Sequence, residues 1–452
     1  MMRSPKVAAL AVGATAATLV AVAVYPASAA GTTTHHTGTL ADGATWIADV
    51  PANWNGTLVL FSHGFGPLTA QDAPSAQSGT ALLAQGYALA GSSYDPKGSL
   101  WALNSSVRDQ FATLTAFGRQ FGTPQRTIAS GDSMGGLTNS IIAQDGAGRI
   151  SGAVTFCGMV DGAVDLTDSE LNGEYAITTL LPGASGVQLR DFTSFGQGAA
   201  SGTALQSSIS TAQSTASGRA RIALASALLN ETDWASGSAA PSPGDFVGQE
   251  QQEEQTLTGG QLPFVLGAEA AIEQAVGGDP SHNVGVNYAA LLRSSPYYSQ
   301  IKALYQQAGL DLDADVAALD KNESYTSEGD SLANTERTST NSGYLPIPEL
   351  DVHTIADQLI PVQQENNYAQ RVREHGDAAN LRQSYVAAIG HCNFTAADVV
   401  AAINTVSARV GTGHWSPTDA ATLNAAADKL TGLGGGNFLT YQPTPLVVQP
   451  TW

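Results

Sequence analysis

The sequence predicts an α/β fold, a mostly parallel sheet flanked by helices with a large and mainly helical insertion. Three observations carry that expectation. Short continuous apolar runs alternate with helix-periodic segments from Thr57 to Met159 and again after Pro346, the pattern of strands buried on both faces and the helices that cover them. The stretch Thr127 to Leu137 (TIASGDSMGGL) reads as strand, sharp turn and helix, with Ser133 at the apex. Between residues 161 and 344 the alternation stops and helical, polar, Gly/Ser-rich sequence takes its place.

At the N-terminus Arg3 and Lys6 precede the Ala/Val/Leu run Val7 to Val24, and Ala27-Ser28-Ala29 offers a small-residue cleavage site just past Pro26. That is the layout of a cleaved secretory signal over residues 1–29 rather than a membrane anchor, so the mature protein is expected outside the cell. No later stretch is long and apolar enough to span a bilayer. Formal net charge is −20 for 452 residues, and loss of Arg3 and Lys6 takes it to −22. Such a surface repels phosphate backbones and anionic lipid, which argues against nucleic-acid partners. Two cysteines, Cys157 and Cys392, in an exported chain point to one disulfide and are too few for a zinc-thiolate site. No cofactor or metal is expected.

Taken in order, Thr37 to Asp49 alternates around Ala41-Asp42-Gly43 as a hairpin, and Asn55-Gly56 turns into a buried strand at Thr57–Ser62. His63-Gly64-Phe65-Gly66 follows that strand. Ala81 to Gln85 is helical, Tyr87 to Tyr94 is a strand, and Asn104 to Phe121 has helical spacing through Val107, Phe111, Leu114 and Phe117. After the serine strand and its helix, Ser151 to Met159 is a buried strand carrying Cys157. Residues 161–344 read as an inserted cap on a core made of residues 30–160 and 345–452. Aromatics such as Phe195, Trp234, Phe264 and Tyr297 are scattered through that insertion. Asp311 to Asp315 has calcium-loop spacing, but Val316 stands where glycine is needed, so it reads as the acidic start of a helix. Strand character returns at Ile347–His353, then helix at Val362–Glu374, strand at Ser384–Ile389 and helix at Ala396–Val410. The Gly/Pro-rich tail after Gly432 is expected to wrap the surface.

The chemistry centres on Gly131-Asp132-Ser133-Met134-Gly135, a G-x-S-x-G turn. Glycines two residues to either side let neighbouring backbone close around a strained serine, and the Met134 N–H is set to face a developing oxyanion. A serine nucleophile needs a base, and the base needs an orienting acid, each at a strand end of the same sheet. His391 follows the last strand. Asp357 sits in a polar turn after the preceding strand; Asp351 competes for that role but lies inside the strand. His353 reads as a pocket or structural residue, and His35, His36, His282, His375 and His414 as solvated. The glycines of His63–Gly66 allow the Phe65 N–H to serve as a second oxyanion donor.

These pieces resemble the α/β-hydrolase family over Thr37 to Val160 and Pro346 to Val410, through HGFG at 63–66, GDSMG at 131–135, HTIADQLIP at 353–361 and GHC at 390–392. The resemblance implies Ser133 as nucleophile, His391 as base then acid, Asp357 as orienter, and an acyl-enzyme released by water, with carboxylic esters as substrates. The His-Cys pair is similar to that of tannases and feruloyl esterases, where the cysteine after the histidine bonds one beside the serine. Asp132 occupies that place here, so the implied bond is Cys157–Cys392, which would pin the histidine loop to the sheet. A peptidase or amidase would use the same triad. A noncatalytic binding protein on this scaffold is the alternative from another class, and the intact Ser, His and Asp set argues against it. An insertion rich in aromatics points to an apolar or aromatic acyl group.

Overall fold

The computed structural model describes residues 32–449. The expected secretory signal at residues 1–29 lies outside the described residues. β1 (Thr33–Thr39) and β2 (Thr45–Pro51) make the antiparallel hairpin. They are followed by β3 (Thr57–Ser62), α1 (Ala76–Ala84), β4 (Ala88–Ser92), α2 (Ser106–Phe121), β5 (Arg126–Asp132), α3 (Met134–Asp145) and β6 (Gly152–Phe156). Helices then run from α4 (Ala163–Leu180) through α5 (Phe195–Ala212), α6 (Ala216–Leu228), α7 (Phe246–Thr256), α8 (Leu262–Val276) and α9 (Tyr288–Ser294). α10 (Tyr298–Ala308), α11 (Leu312–Asn322) and α12 (Ser331–Thr338) complete the insertion. The sheet resumes with β7 (Glu349–Ala356), α13 (Gln364–His375) and β8 (Leu381–Ile389), followed by α14 (Ala396–Thr412), α15 (Ala420–Ala427) and β9 (Phe438–Leu439).

The strands form one sheet in the order β1-β2-β4-β3-β5-β6-β7-β8-β9. From β4 to β8 every neighbouring pair is parallel, while β2 and β9 join antiparallel at the two ends. This is the α/β-hydrolase fold. Strand order reverses at β3, so β3 and β5 lie side by side with Ser62 opposite Gly131. The loops leaving both strands therefore emerge together, which is where open α/β sheets bind ligands.

Period-2 burial builds both faces. Leu58, Leu60 and Ala129 pack with Phe117, Ile142 and Val372 of α2, α3 and α13 on one side. Val59, Ile128 and Val154 pack with Leu82, Val400 and Ile403 of α1 and α14 on the other. Each of the valine, leucine, isoleucine and phenylalanine side chains among these, buried whole, contributes about 1.5–3 kcal/mol. The inserted helices have their own core, including Ile177, Leu205, Leu224, Tyr288, Ile301 and Leu319. There α5 runs against α8 at backbone distance: a methyl at Gly198 would overlap the Leu266 carbonyl, and one at Gly202 that of Leu262.

Some boundaries differ from the sequence expectation. β7 runs on to Ala356, so Asp357 is the first residue past the strand. An unexpected helix, α15, precedes the tail, and the tail after Gly432 adds a two-residue edge strand opposite Tyr385 and Val386 and reaches the insertion where Asn230 and Val447 exchange hydrogen bonds. Asp311 caps α11, accepting from the Asp313 and Ala314 N–H groups. Among the described residues, no helix is long and apolar enough to cross a membrane.

Candidate active site

β5 ends at Asp132 and α3 begins at Met134, leaving Ser133 between them at φ 55°, ψ −127°. A side chain in so sparse a region costs about 1–3 kcal/mol, which the surroundings must sustain. They do so by close approach. A methyl at Gly131 would overlap the Gly135 carbonyl oxygen, and one at Gly135 would overlap that of Ser62. The Ser133 N–H donates to the Phe156 carbonyl at 3.1 Å, tying the turn to β6.

His391 reaches the serine from the end of β8. The Gly390 N–H donates to the Ala356 carbonyl at 2.8 Å, so the ends of β7 and β8 are held together with Asp357 and His391 just beyond them. His391 Nε2 lies 2.8 Å from Ser133 Oγ, and its Nδ1 lies 2.7 Å from Asp357 Oδ2. The other Asp357 oxygen accepts from the Leu359 and Ile360 N–H groups at 2.9 and 3.0 Å. A hydroxyl in this position can pass its proton to imidazole as it attacks a carbonyl carbon, and the carboxylate can steady the imidazolium that results.

A second histidine supports the acid. His353 is buried, with Nδ1 3.0 Å from Glu365 Oε1, and Nε2 3.0 Å from the Ile360 carbonyl and 3.6 Å from Asp357 Oδ2. Both ring nitrogens face acceptors, so the ring holds both protons. Burial works against that charge, but Asp357 and Glu365 outweigh it and raise the pKa to about 10. For Asp357, burial pushes the carboxyl up. The charge of His391 and hydrogen bonds from both histidines more than reverse this and hold it well below the usual carboxylate range. Asp351 is different. Burial, then the charges of Glu349 and Glu365, push its carboxyl far up, and the acid that meets His391 is Asp357.

The His63–Gly66 loop passes beside the serine, where a methyl at Gly64 would come 3.1 Å from Ser133 Cβ. Tyr94 holds this loop, donating to the His63 carbonyl at 2.9 Å with its ring stacked on the imidazole. Phe65 and Met134 line the same cavity as Ser133 and His391. The Met134 N–H belongs to the first turn of α3, which the helix leaves without an internal acceptor. Cys157 and Cys392 are joined by a disulfide with Cα atoms 5.4 Å apart. It links the end of β6 to the residue after His391, and Cys392 Sγ lies 3.5 Å from His391 Nε2.

The cavity over Ser133 has a volume of about 320 Å³ and is largely apolar, with Phe65, Trp101, Met159, Phe264, Ile272 and Leu359 in its wall. Phe65 of the core and Phe264 of α8 meet edge to face at 5.8 Å. Asp132 and Glu170 supply its carboxyls. Burial raises Asp132 to about 6, opposed by the charge of His391. Trp101 and Met159, in the core loops after β4 and β6, and Glu170, in the insertion, are not among the residues the sequence singles out for the site. Nor is His282 freely solvated, since its Nδ1 lies 3.2 Å from Asp168 once the segment after α8 folds against α4. Among the described residues, two groupings could face an ion. In one, Cys157 and Cys392 are bonded to each other and offer no thiolate beside His391. In the other, Glu269, Glu273 and Asp279 have ligand atoms within 4.8 Å of one another, though Glu273 already accepts from Asp191 and Phe192, and Asp279 from Ser281.

The chain is similar to o-phthalyl amidase from Xanthobacter agilis, 28% identical over 427 residues that cover 87% of this chain and 91% of that protein. Among solved structures it is similar to feruloyl esterase B from Aspergillus oryzae (15% identity, 80% of this chain and 73% of that one, TM-score 0.36). It is also similar to the Pyrococcus horikoshii acylaminoacyl peptidase (10% identity, 80% of this chain, TM-score 0.37), of which it spans 38% of the length. The chain belongs to the Tannase-like family of unknown function (DUF6351), whose family model matches residues 32–410.

Proposed function

We propose that this protein is a secreted serine hydrolase that cleaves carboxylic esters through an acyl-enzyme. The observation that carries this reading is the unbroken chain of contacts from Ser133 Oγ to His391 at 2.8 Å and from His391 to Asp357 at 2.7 Å. Ser133 Oγ bonds to the substrate carbonyl carbon while its proton moves to His391 Nε2. The carbonyl electrons shift onto oxygen, which faces the Phe65 and Met134 N–H groups; losing one such donor typically costs about 10²–10³ in rate. Collapse breaks the bond to the alcohol, which leaves with the proton from His391. Water, activated by His391, then releases the acid and restores Ser133. Residues 161–344 act as a cap that shapes the acyl pocket, and residues 1–29 direct export.

A second reading, amide cleavage by the same groups, is favoured by the likeness to an o-phthalyl amidase. His391 would then protonate a poorer leaving group. A panel of nitrophenyl esters of rising chain length, methyl esters of phenolic acids, a lactone, an N-phthalyl amide and peptide anilides tests both readings. Ester turnover that Ser133→Ala abolishes is the expected result. Turnover of the amide alone would select the second reading. Equal turnover by wild type and variant would defeat both.

A further inference from the structure

Glu170 enters the substrate cavity from α4, one helical turn beyond Leu166, which lines the same cavity. Among the described residues nothing donates a hydrogen bond or an ionic partner to its carboxyl, and burial alone raises it, to about 8. Glu170 also fronts two small hollows. One is lined by Glu174 and Glu269, the other by Glu231. Those three are 4%, 9% and 2% exposed, and each has a carboxyl oxygen without a hydrogen-bond partner. Among the described residues lining the cavity and both hollows there is no lysine or arginine.

Burying one unpartnered carboxyl is unfavourable, and each neighbour makes ionising the next harder. A neutral donor would satisfy a single oxygen and leave that repulsion in place. A positive charge relieves the whole group. The cavity has room for an organic cation, and the faces of Phe65, Trp101 and Phe264 in its wall suit an ammonium on an apolar stem.

We propose that Glu170, with Glu174, Glu231 and Glu269 behind it, is a cation-recognising subsite of the substrate cavity, so that preferred acyl groups carry a protonated amine away from the scissile carbonyl. This rests on the serine hydrolase reading, with Glu170 as a specificity-determining residue.

The test compares kcat/KM for 4-nitrophenyl 6-aminohexanoate and 4-nitrophenyl heptanoate, which differ by ammonium for methyl, in the wild type and in Glu170→Gln. The expected result is a preference for the amino ester of about tenfold or more at pH 8, falling to near one in the variant. A wild-type ratio at or below one, or a ratio that Glu170→Gln leaves intact, would overturn the proposal. If Glu170→Gln does not fold, competition decides. Hexylammonium should inhibit heptanoate hydrolysis by the wild type at least about tenfold more strongly than hexanol, and equal inhibition overturns the subsite. Heptanoate turnover lost in Ser133→Ala without any amine preference defeats the subsite alone. If neither ester turns over, the hydrolase reading is what fails for these substrates, and calorimetric titration with hexylammonium judges the subsite by itself. Binding that Glu170→Gln or Glu269→Gln weakens supports it, and no binding overturns it.

Discussion

Asp357 Oδ2 lies between two histidines, 2.7 Å from Nδ1 of His391 and 3.6 Å from Nε2 of His353. His391 is partly open to the cavity, whereas His353 is sealed beneath it between Asp357 and Glu365. The acid is therefore held ionised from below while it orients the imidazole above. In the proposed mechanism His353 is a positioning residue, which reaches Ser133 only through Asp357 and His391.

His353 gives stability a pH signature. Its folded pKa of about 10 lies above its ordinary value of 6.5, so its stabilisation is complete below about pH 6.5 and is lost as pH rises through 10. Urea midpoints of the wild type should fall across that window. His353→Gln should cost a few kcal/mol at pH 6.5 and flatten the slope. A steep slope kept by the variant would contradict a buried imidazolium. The depressed pKa of Asp357 acts at the other end, with stability present above the ordinary carboxylate range and lost as pH falls below it.

Asp357→Asn should keep the fold and reduce kcat/KM by about 10³-fold or more, since the amide holds the wrong imidazole tautomer. Asp351→Asn should stay within a few-fold of wild type, because its carboxyl is already pushed toward the neutral acid and does not meet His391. Steady-state kinetics on the two folded variants checks this. Equal rates for both would remove Asp357 from its role.

The Cys157–Cys392 bond closes a loop of 235 residues, worth about 5 kcal/mol in the chain-entropy description. Replacing both cysteines by serine should lower the urea midpoint accordingly and reduce kcat more than it changes KM, since the loop carrying His391 loses its tie to β6. Thiol titration of the unreduced, denatured protein should find none. Two titratable thiols, or a variant with unchanged kcat, would contradict that tie.

The core was legible in the sequence because its strands are buried on both faces. Leu58 to Phe61 and Ile128 to Ser130 read as continuous buried runs, and in the sheet they are fully or nearly fully enclosed. Ser133, Asp357 and His391 could be chosen from strand ends alone, since this topology gathers those ends, and the structure brings the three within hydrogen-bonding distance. The insertion resisted reading for physical reasons. Gly198 and Gly202 belong to a Gly/Ser-rich stretch with no clear apolar period, yet they mark where α5 meets the backbone of α8. Glu170, Glu174 and Glu269 belong to sequence that reads only as polar and helical, yet they point inward, and no local pattern reveals that. β9 is two residues long and exists only through its pairing with Tyr385 and Val386, so no periodicity could announce it.

The central claim is that Ser133 carries the acyl group, and trapping that intermediate tests it most directly. The protein would be mixed with a nitrophenyl ester, quenched in acid within the first turnover, and digested for mass spectrometry. The expected result is close to one acyl group per chain, on the peptide containing Ser133, with no adduct and no turnover in Ser133→Ala. Sustained hydrolysis by the variant, or an acyl group mapped to another residue, would contradict it.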